Sequence, residues 1–273
     1  MNLVLGAIYG YDWEKVKHFV ISLRKHYNGK VGFIVDESVM NDEDFKHKLL
    51  EEYDIDLIVY EEKLKSNHEI QNNRFELYSD IINHYYSDVD KIFITDVRDV
   101  IFQDDPFSYG FDEGQELEFY YEPELIGNCR CNSWWYRTMF GEDVLNQVKD
   151  KIIICCGTIM GTREGLLKYL ELFKQEFKNM RDNGRIFTGG EDTVIHNLLV
   201  YNDKIPMKYK ITHNGEGVVS TLDHQKTFTF DKQGRYINSD GRPTPVIHQW
   251  DRVKQHVDLF NKIGKFKYKL SYL

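Results

Sequence analysis

Cysteine and proline are scarce, with four Cys and five Pro in 273 residues. Cys129, Cys131, Cys155 and Cys156 form a C-x-C and a C-C pair. Neither has the C-x-x-C spacing that suits zinc or dithiol chemistry, so reduced, partly buried thiols are expected. No Ser/Gly/Pro-rich linker or internal repeat marks a boundary, and one domain is expected. No apolar run approaches the roughly 18 residues of a membrane span. The opening MNLVLGAIYGYDW has neither a basic start nor a long apolar core, so the chain is read as cytoplasmic. Positive charge is not in excess: 35 Lys and Arg stand against 44 Asp and Glu, a net −9. That balance repels phosphate backbones and excludes nucleic acid as a bulk partner. A G-x-x-x-x-G-K-[ST] loop is also missing, and Gly6 and Gly10 are too few for an early Gly-rich phosphate loop.

Apolar runs at Leu3 to Ile8, Val31 to Val35, Ile55 to Tyr60 and Ile92 to Thr95 are bounded by polar residues and read as buried strands. Between the first two, Trp13, Val16, Val20, Leu23 and Tyr27 recur at the spacing of one helix face. Glu69 to Tyr86 reads as a second, weaker helix. Strands alternating with helices predict an α/β fold with a mostly parallel sheet, its ligands at the carboxyl ends of the strands. Further on, Lys151 to Cys156 and Pro245 to Gln249 read as strands, and Leu166 to Phe177 and Asp192 to Val200 as helices.

The most informative stretch is Lys91 to Phe107, KIFITDVRDVIFQDDPF, a buried strand closing on two carboxylates. Acids at such a strand end suit a divalent cation held against a diphosphate. On a straight strand Asp96 and Asp99 point to opposite faces, so sharing one ion requires the chain to bend between them, and a bend is predicted. Equally, Arg98 can pair with a neighbouring acid on a solvated loop.

This run resembles the aspartate motif of metal-dependent, nucleotide-sugar glycosyltransferases of the GT-A fold, commonly D-x-D followed by apolar residues and D-P. Three later segments extend the resemblance in order. Cys155-Cys-Gly-Thr-Ile-Met-Gly161 is similar to the small-residue strand and turn facing the transferred sugar. Gly190-Glu-Asp-Thr-Val-Ile-His-Asn197 is similar to a helix bearing an acid and, five residues later, an Asn. Val246-Ile-His-Gln-Trp250 is similar to the late strand whose His completes a metal site. The resemblance implies a Rossmann-like sheet with a nucleotide-sugar half over about 1–107, an acceptor half over about 108–250 and a tail over 251–273. It implies Asp99 and His248 as metal ligands with Asp96 assisting, Mn²⁺ as the ion with Mg²⁺ the alternative, and a nucleotide-diphosphate sugar as donor. Gly157, Thr158 and Asn197 then face the sugar, and Glu191 or Asp192 supplies the catalytic carboxylate. The spacing Asp-Val-Arg-Asp departs from D-x-D, and no H-x-x-G-x-x-K follows His248, so Arg252 stands in for a phosphate-binding Lys.

Asp192 can act as base or electrostatic partner to the reacting sugar, or cap its helix. Tyr9, past the first strand, suits stacking on a nucleobase, and Asp36, past the second, suits base or ribose contacts or a turn cap. Arg74 and Arg98 join the donor-binding set, Arg74 toward the diphosphate. In Asn132-Ser-Trp-Trp-Tyr136, with Glu122 upstream, Trp134 is assigned to the acceptor sugar. His213, His224 and His256 read as surface residues. The segment 251–273 carries six Lys and Arg against two Asp, with Phe260, Phe266, Tyr268 and Tyr272. It suits peripheral contact with an anionic membrane or a phosphate-bearing acceptor, or a solvated face. The function expected is sugar transfer from a nucleotide diphosphate to a glycan or glycoconjugate. The rivals are a non-catalytic sugar-nucleotide or glycan binder of the same fold, and a nucleotidyltransferase.

Overall fold

The computed structural model describes residues 1–59, 67–185, 189–225, 227–252 and 257–258. Tyr60, His256 and nearly all of the basic segment 251–273 lie outside the described residues.

The first strand, β1 (Asn2–Ile8), is followed by α1 (Trp13–His26), β2 (Lys30–Val35), the short helices α2 (Glu37–Asn41) and α3 (Glu43–His47), a π-helical turn over Lys48–Glu52, and β3 (Asp56–Val59). Then come α4 (Asn67–Tyr85), β4 (Lys91–Thr95) and β5 (Val100–Phe102). The later part holds β6 (Leu117–Leu125), α5 (Arg130–Phe140), α6 (Glu142–Val148), β7 (Ile152–Ile154), β8 (Thr158–Thr162), α7 (Arg163–Asp182), α8 (Glu191–Tyr201), β9 (Tyr209–Thr212), β10 (Val219–Thr221) and β11 (Val246–His248).

An eight-stranded, mixed and mostly parallel sheet runs β3-β2-β1-β4-β8-β6-β7, with β9 beside β6. The first four strands are parallel, as near-continuous apolar runs flanked by helices require. Strand β8 enters antiparallel to both β4 and β6, so β6 returns to the direction of β4, and β9 runs parallel to β6. The halves 1–107 and 108–250 therefore share one sheet.

Helix α1 starts where the Asp12 carboxylate accepts the Lys15 N–H, and it buries Val16, Phe19, Val20 and Leu23, one stripe at helical spacing. Phe19 meets Phe33 of β2 and Phe102 of β5 edge to face. On the opposite face, α4 and α7 pack together through stacked Phe75 and Phe173, 4.1 Å apart. A smaller sheet, β10-β11-β5, stands beside the large one.

The strands read from apolar runs sit within a residue or two of expectation. The run from Lys151 is shorter than expected, because the chain leaves the sheet at Cys155 and turns into β8. The aromatic cluster at 132–136 lies within α5, with Tyr136 fully buried. All four cysteines are free thiols. Among the described residues no helix is long and apolar enough to cross a membrane.

Candidate metal centre

Strand β4 delivers two carboxylates because it does not continue straight. At its end Thr95 pairs with Thr158, and the next N–H, of Asp96, donates to the carbonyl of Gly157 at 2.7 Å. Val97 turns inward against Gly6, where an added Cβ would lie 2.5 Å from its methyl. By Val100 the chain has entered the small sheet, antiparallel to β11, with Val100 opposite His248. The predicted bend is present. It aims Asp96 Oδ2 and Asp99 Oδ1 at His248 Nε2, at 3.6 and 3.8 Å, and one ligand atom from each residue lies within 4.8 Å of the others.

The donor chemistry fits a cation. His248 is buried, and its Nε2 has no hydrogen-bond partner. Its Nδ1 lies 3.3 Å from Thr221 Oγ1 and 3.4 Å from Cys155 Sγ. With Nδ1 facing these neighbours, Nε2 points at the two acids, the orientation a metal-binding imidazole needs. Two carboxylates and one imidazole form a donor set that could hold a metal ion.

The electrostatics are those of a charged, dry cradle. Burial opposes ionisation of Asp96, yet Arg74 and His248 hold its carboxyl well below the usual range. Burial likewise opposes protonation of His248, but Cys155, Asp96 and Asp99 together hold its imidazole well above the ordinary value. Arg74, buried on α4, bonds Asp96 and stands 3.5 Å from Asp192. Asp192 is pushed upward by burial and pulled back by Arg74. On its outer side Asp99 receives Arg252 at 2.9 Å and Arg98 at 3.2 Å, and Arg98 also pairs with Asp251.

These groups line a cavity of about 470 Å³ at the carboxyl ends of β1 and β4. Tyr9, Arg74, Asp96, Arg98, Asp99, Gly157, Asp192, His248 and Arg252 all reach it. Five other residues singled out from the sequence do not line it. Asp36 caps α2 through the N–H groups of Ser38 and Val39 and receives Gly10 N–H at 2.7 Å, so it shapes the Tyr9–Tyr11 turn. Glu191 is buried and receives Asn72 Nδ2 at 3.3 Å. Thr158 is fully buried within β8. Asn197 bonds both the N–H and the carbonyl of Ile154, fastening α8 to β7. Trp134 is 49% exposed and turned away, whereas its neighbour Trp135 lines the cavity and lies so close over Gly190 that a Cβ there would come within 2.2 Å of its ring. Tyr11, Trp135, Glu122 and Gln249 also line it. Tyr11 was signalled only by standing two residues from Tyr9 across a glycine with φ +66°.

Gly157 is required by close approach. A Cβ there would fall 2.4 Å from Asp96 Oδ2 and 3.3 Å from the His248 ring. Gly157→Ala is expected to weaken Mn²⁺ binding by about 10- to 100-fold while leaving the far-ultraviolet circular dichroism unchanged, the size seen when groups supporting metal ligands are disturbed. Unaltered affinity in calorimetry would show that the carboxylate has room to move.

Fold and site together define an α/β protein with a buried Asp-Asp-His group at the carboxyl edge of its parallel strands. No family model and no curated protein matches the chain.

Proposed function

We propose that the protein is a metal-dependent glycosyltransferase of GT-A type, moving a sugar from a nucleoside diphosphate to a glycan or glycoconjugate. The observation that carries this reading is the buried His248 Nε2, without a hydrogen-bond partner and aimed between Asp96 and Asp99 in a cavity that also carries Arg74, Arg98 and Arg252. Asp99 and His248 would hold the ion with Asp96, and the bound cation would stabilise negative charge on a departing diphosphate as a Lewis acid. Arg98 and Arg252, already beside Asp99, are placed to receive phosphate oxygens, for which the guanidinium fork is suited. Tyr9 and Tyr11 offer ring faces to the base. Arg74 keeps Asp96 ionised and orients Asp192. Asp192, joined to Asp96 through Arg74, then supports the oxocarbenium-like reacting carbon or accepts the acceptor's proton.

Calorimetric titration with uridine, guanosine, adenosine and cytidine diphosphates, each with Mn²⁺ and then with chelator, tests the donor half of this reading. One nucleotide is expected to bind at least about tenfold more tightly with Mn²⁺, a difference of ~1.4 kcal/mol. If the folded protein binds none of them under either condition, the reading fails.

A further inference from the structure

A second cavity of about 350 Å³ lies beside the metal cavity, and Glu122 lines both. Its position follows from strand direction. Because β6 and β9 run with β4, the residues at and beyond their carboxyl ends stand on the same edge of the sheet as Asp96. Tyr121 and His213, each one step beyond the last β6–β9 pair of Tyr120 and Thr212, meet ring to ring at 4.5 Å and form an aromatic shelf. The shelf is held in place: Tyr121 bonds Tyr201, whose hydroxyl donates to the Ile152 carbonyl. Asn214 is fixed by both backbone groups of Thr221 and by Gln225.

The two cavities differ in their basic residues. The metal cavity carries Arg74, Arg98 and Arg252 beside Asp96, Asp99, Asp192 and Glu122, whereas none of the residues lining the second is Lys or Arg, and Glu122 and Glu124 are among them. Phosphate or carboxylate groups are repelled from such a groove. Hydroxyls that donate to carboxylates, and C–H faces that lie on aromatic rings, are suited to it. The volume falls in the range of small-molecule sites.

We propose that this groove binds the acceptor as an uncharged oligosaccharide, seated on Tyr121 and His213, whose terminal sugar passes Glu122 into the metal cavity. The inference rests on the transferase reading. It adds that the donor's phosphates and the acceptor's chain occupy separate compartments, of which only the first carries arginines.

The test uses an array of neutral oligosaccharides of one to six sugars together with sialylated and phosphorylated counterparts, probed with the full chain. The expected result is binding of neutral chains of two or more sugars, weakened at least about tenfold by His213→Ala and by Tyr121→Ala. Nucleoside diphosphate binding with Mn²⁺ should stay within about twofold of the parent in both variants. His213 is exposed, so its replacement keeps the test decisive should Tyr121→Ala unfold. The proposal is overturned if no glycan binds, if only anionic glycans bind, or if neutral glycans bind the His213→Ala and parent proteins equally. Nucleotide binding retained in any of those cases would leave the donor site standing while the groove assignment falls.

Discussion

Asp99→Ala and His248→Ala proteins are expected to bind Mn²⁺ at least about 100-fold more weakly than the parent, and, on the proposed reading as a transferase, to lose sugar transfer with it. Removing a group that supports a ligand already costs about 10- to 100-fold, and removing a ligand costs more. Asp99→Ala also strands Arg98 and Arg252, which both lean on the same carboxylate oxygen. The isosteric Asp99→Asn therefore belongs in the experiment as a control for folding. Proton release sharpens the expectation. In the ion-free protein the acidic neighbours of His248 hold its imidazole protonated to higher pH than usual, and a cation must displace that proton. Affinity should therefore rise between about pH 6 and pH 8, with a proton released on binding that appears as a buffer-dependent heat. Equal affinity across that range with no proton release, or Mn²⁺ binding that survives both substitutions, would remove the metal centre from these residues.

Arg74→Met should produce the largest loss of stability of any single substitution at the site. The guanidinium is buried between Asp96 and Asp192, themselves largely shielded from water. Removing one partner of a buried ionic group leaves its acids uncompensated, at a cost of roughly 3 to 5 kcal/mol. For a chain of this size that is a fall in Tm of roughly 10 °C. Asp96 is held ionised chiefly by Arg74 against burial, so a divalent cation should restore part of the loss by supplying positive charge to the same carboxylate. Thermal unfolding with and without Mn²⁺ checks both statements. A Tm within about 2 °C of the parent would mean that the acids shed their charge at little cost.

The parallel half of the sheet was legible because its strands are short apolar runs whose burial on both faces needs no alternation. Strands β6, β9 and β10 were not, since β6 carries charged residues along its length and β9 and β10 are only four and three residues long. At the site, the two acids after β4 and the bend between them could be read from the strand pattern, whereas His248 as their partner and the ligand role of Asp99 rested on the resemblance. What holds the bend could not be read, because the Gly157 carbonyl is not placed by local sequence. Trp134 and Trp135 are indistinguishable without the phase of α5, and that phase, not composition, puts Trp135 over Gly190. Asn197 stands five residues after Asp192 and invites a role toward substrate, yet its amide is engaged with the backbone of Ile154 and the carbonyl of Thr193. A polar residue consumed by distant backbone groups looks, in sequence, like one free for chemistry.

The small sheet carries a consequence for the order in which the molecule assembles. Among the described residues strand β5 finds its strand partner in β11 alone, and Arg252 meets Asp99 across 153 positions of chain. During synthesis, β1 to β4 can pair while most of the polypeptide is still to be made, but β5 then waits with its hydrogen-bonding edge open. Closing so long a loop is entropically slow, and an open edge is where nascent chains associate wrongly. Folding is therefore expected to end at the metal cradle, and a chain arrested before Val246 would carry Asp96 and Asp99 on an unfinished edge with no imidazole opposite them.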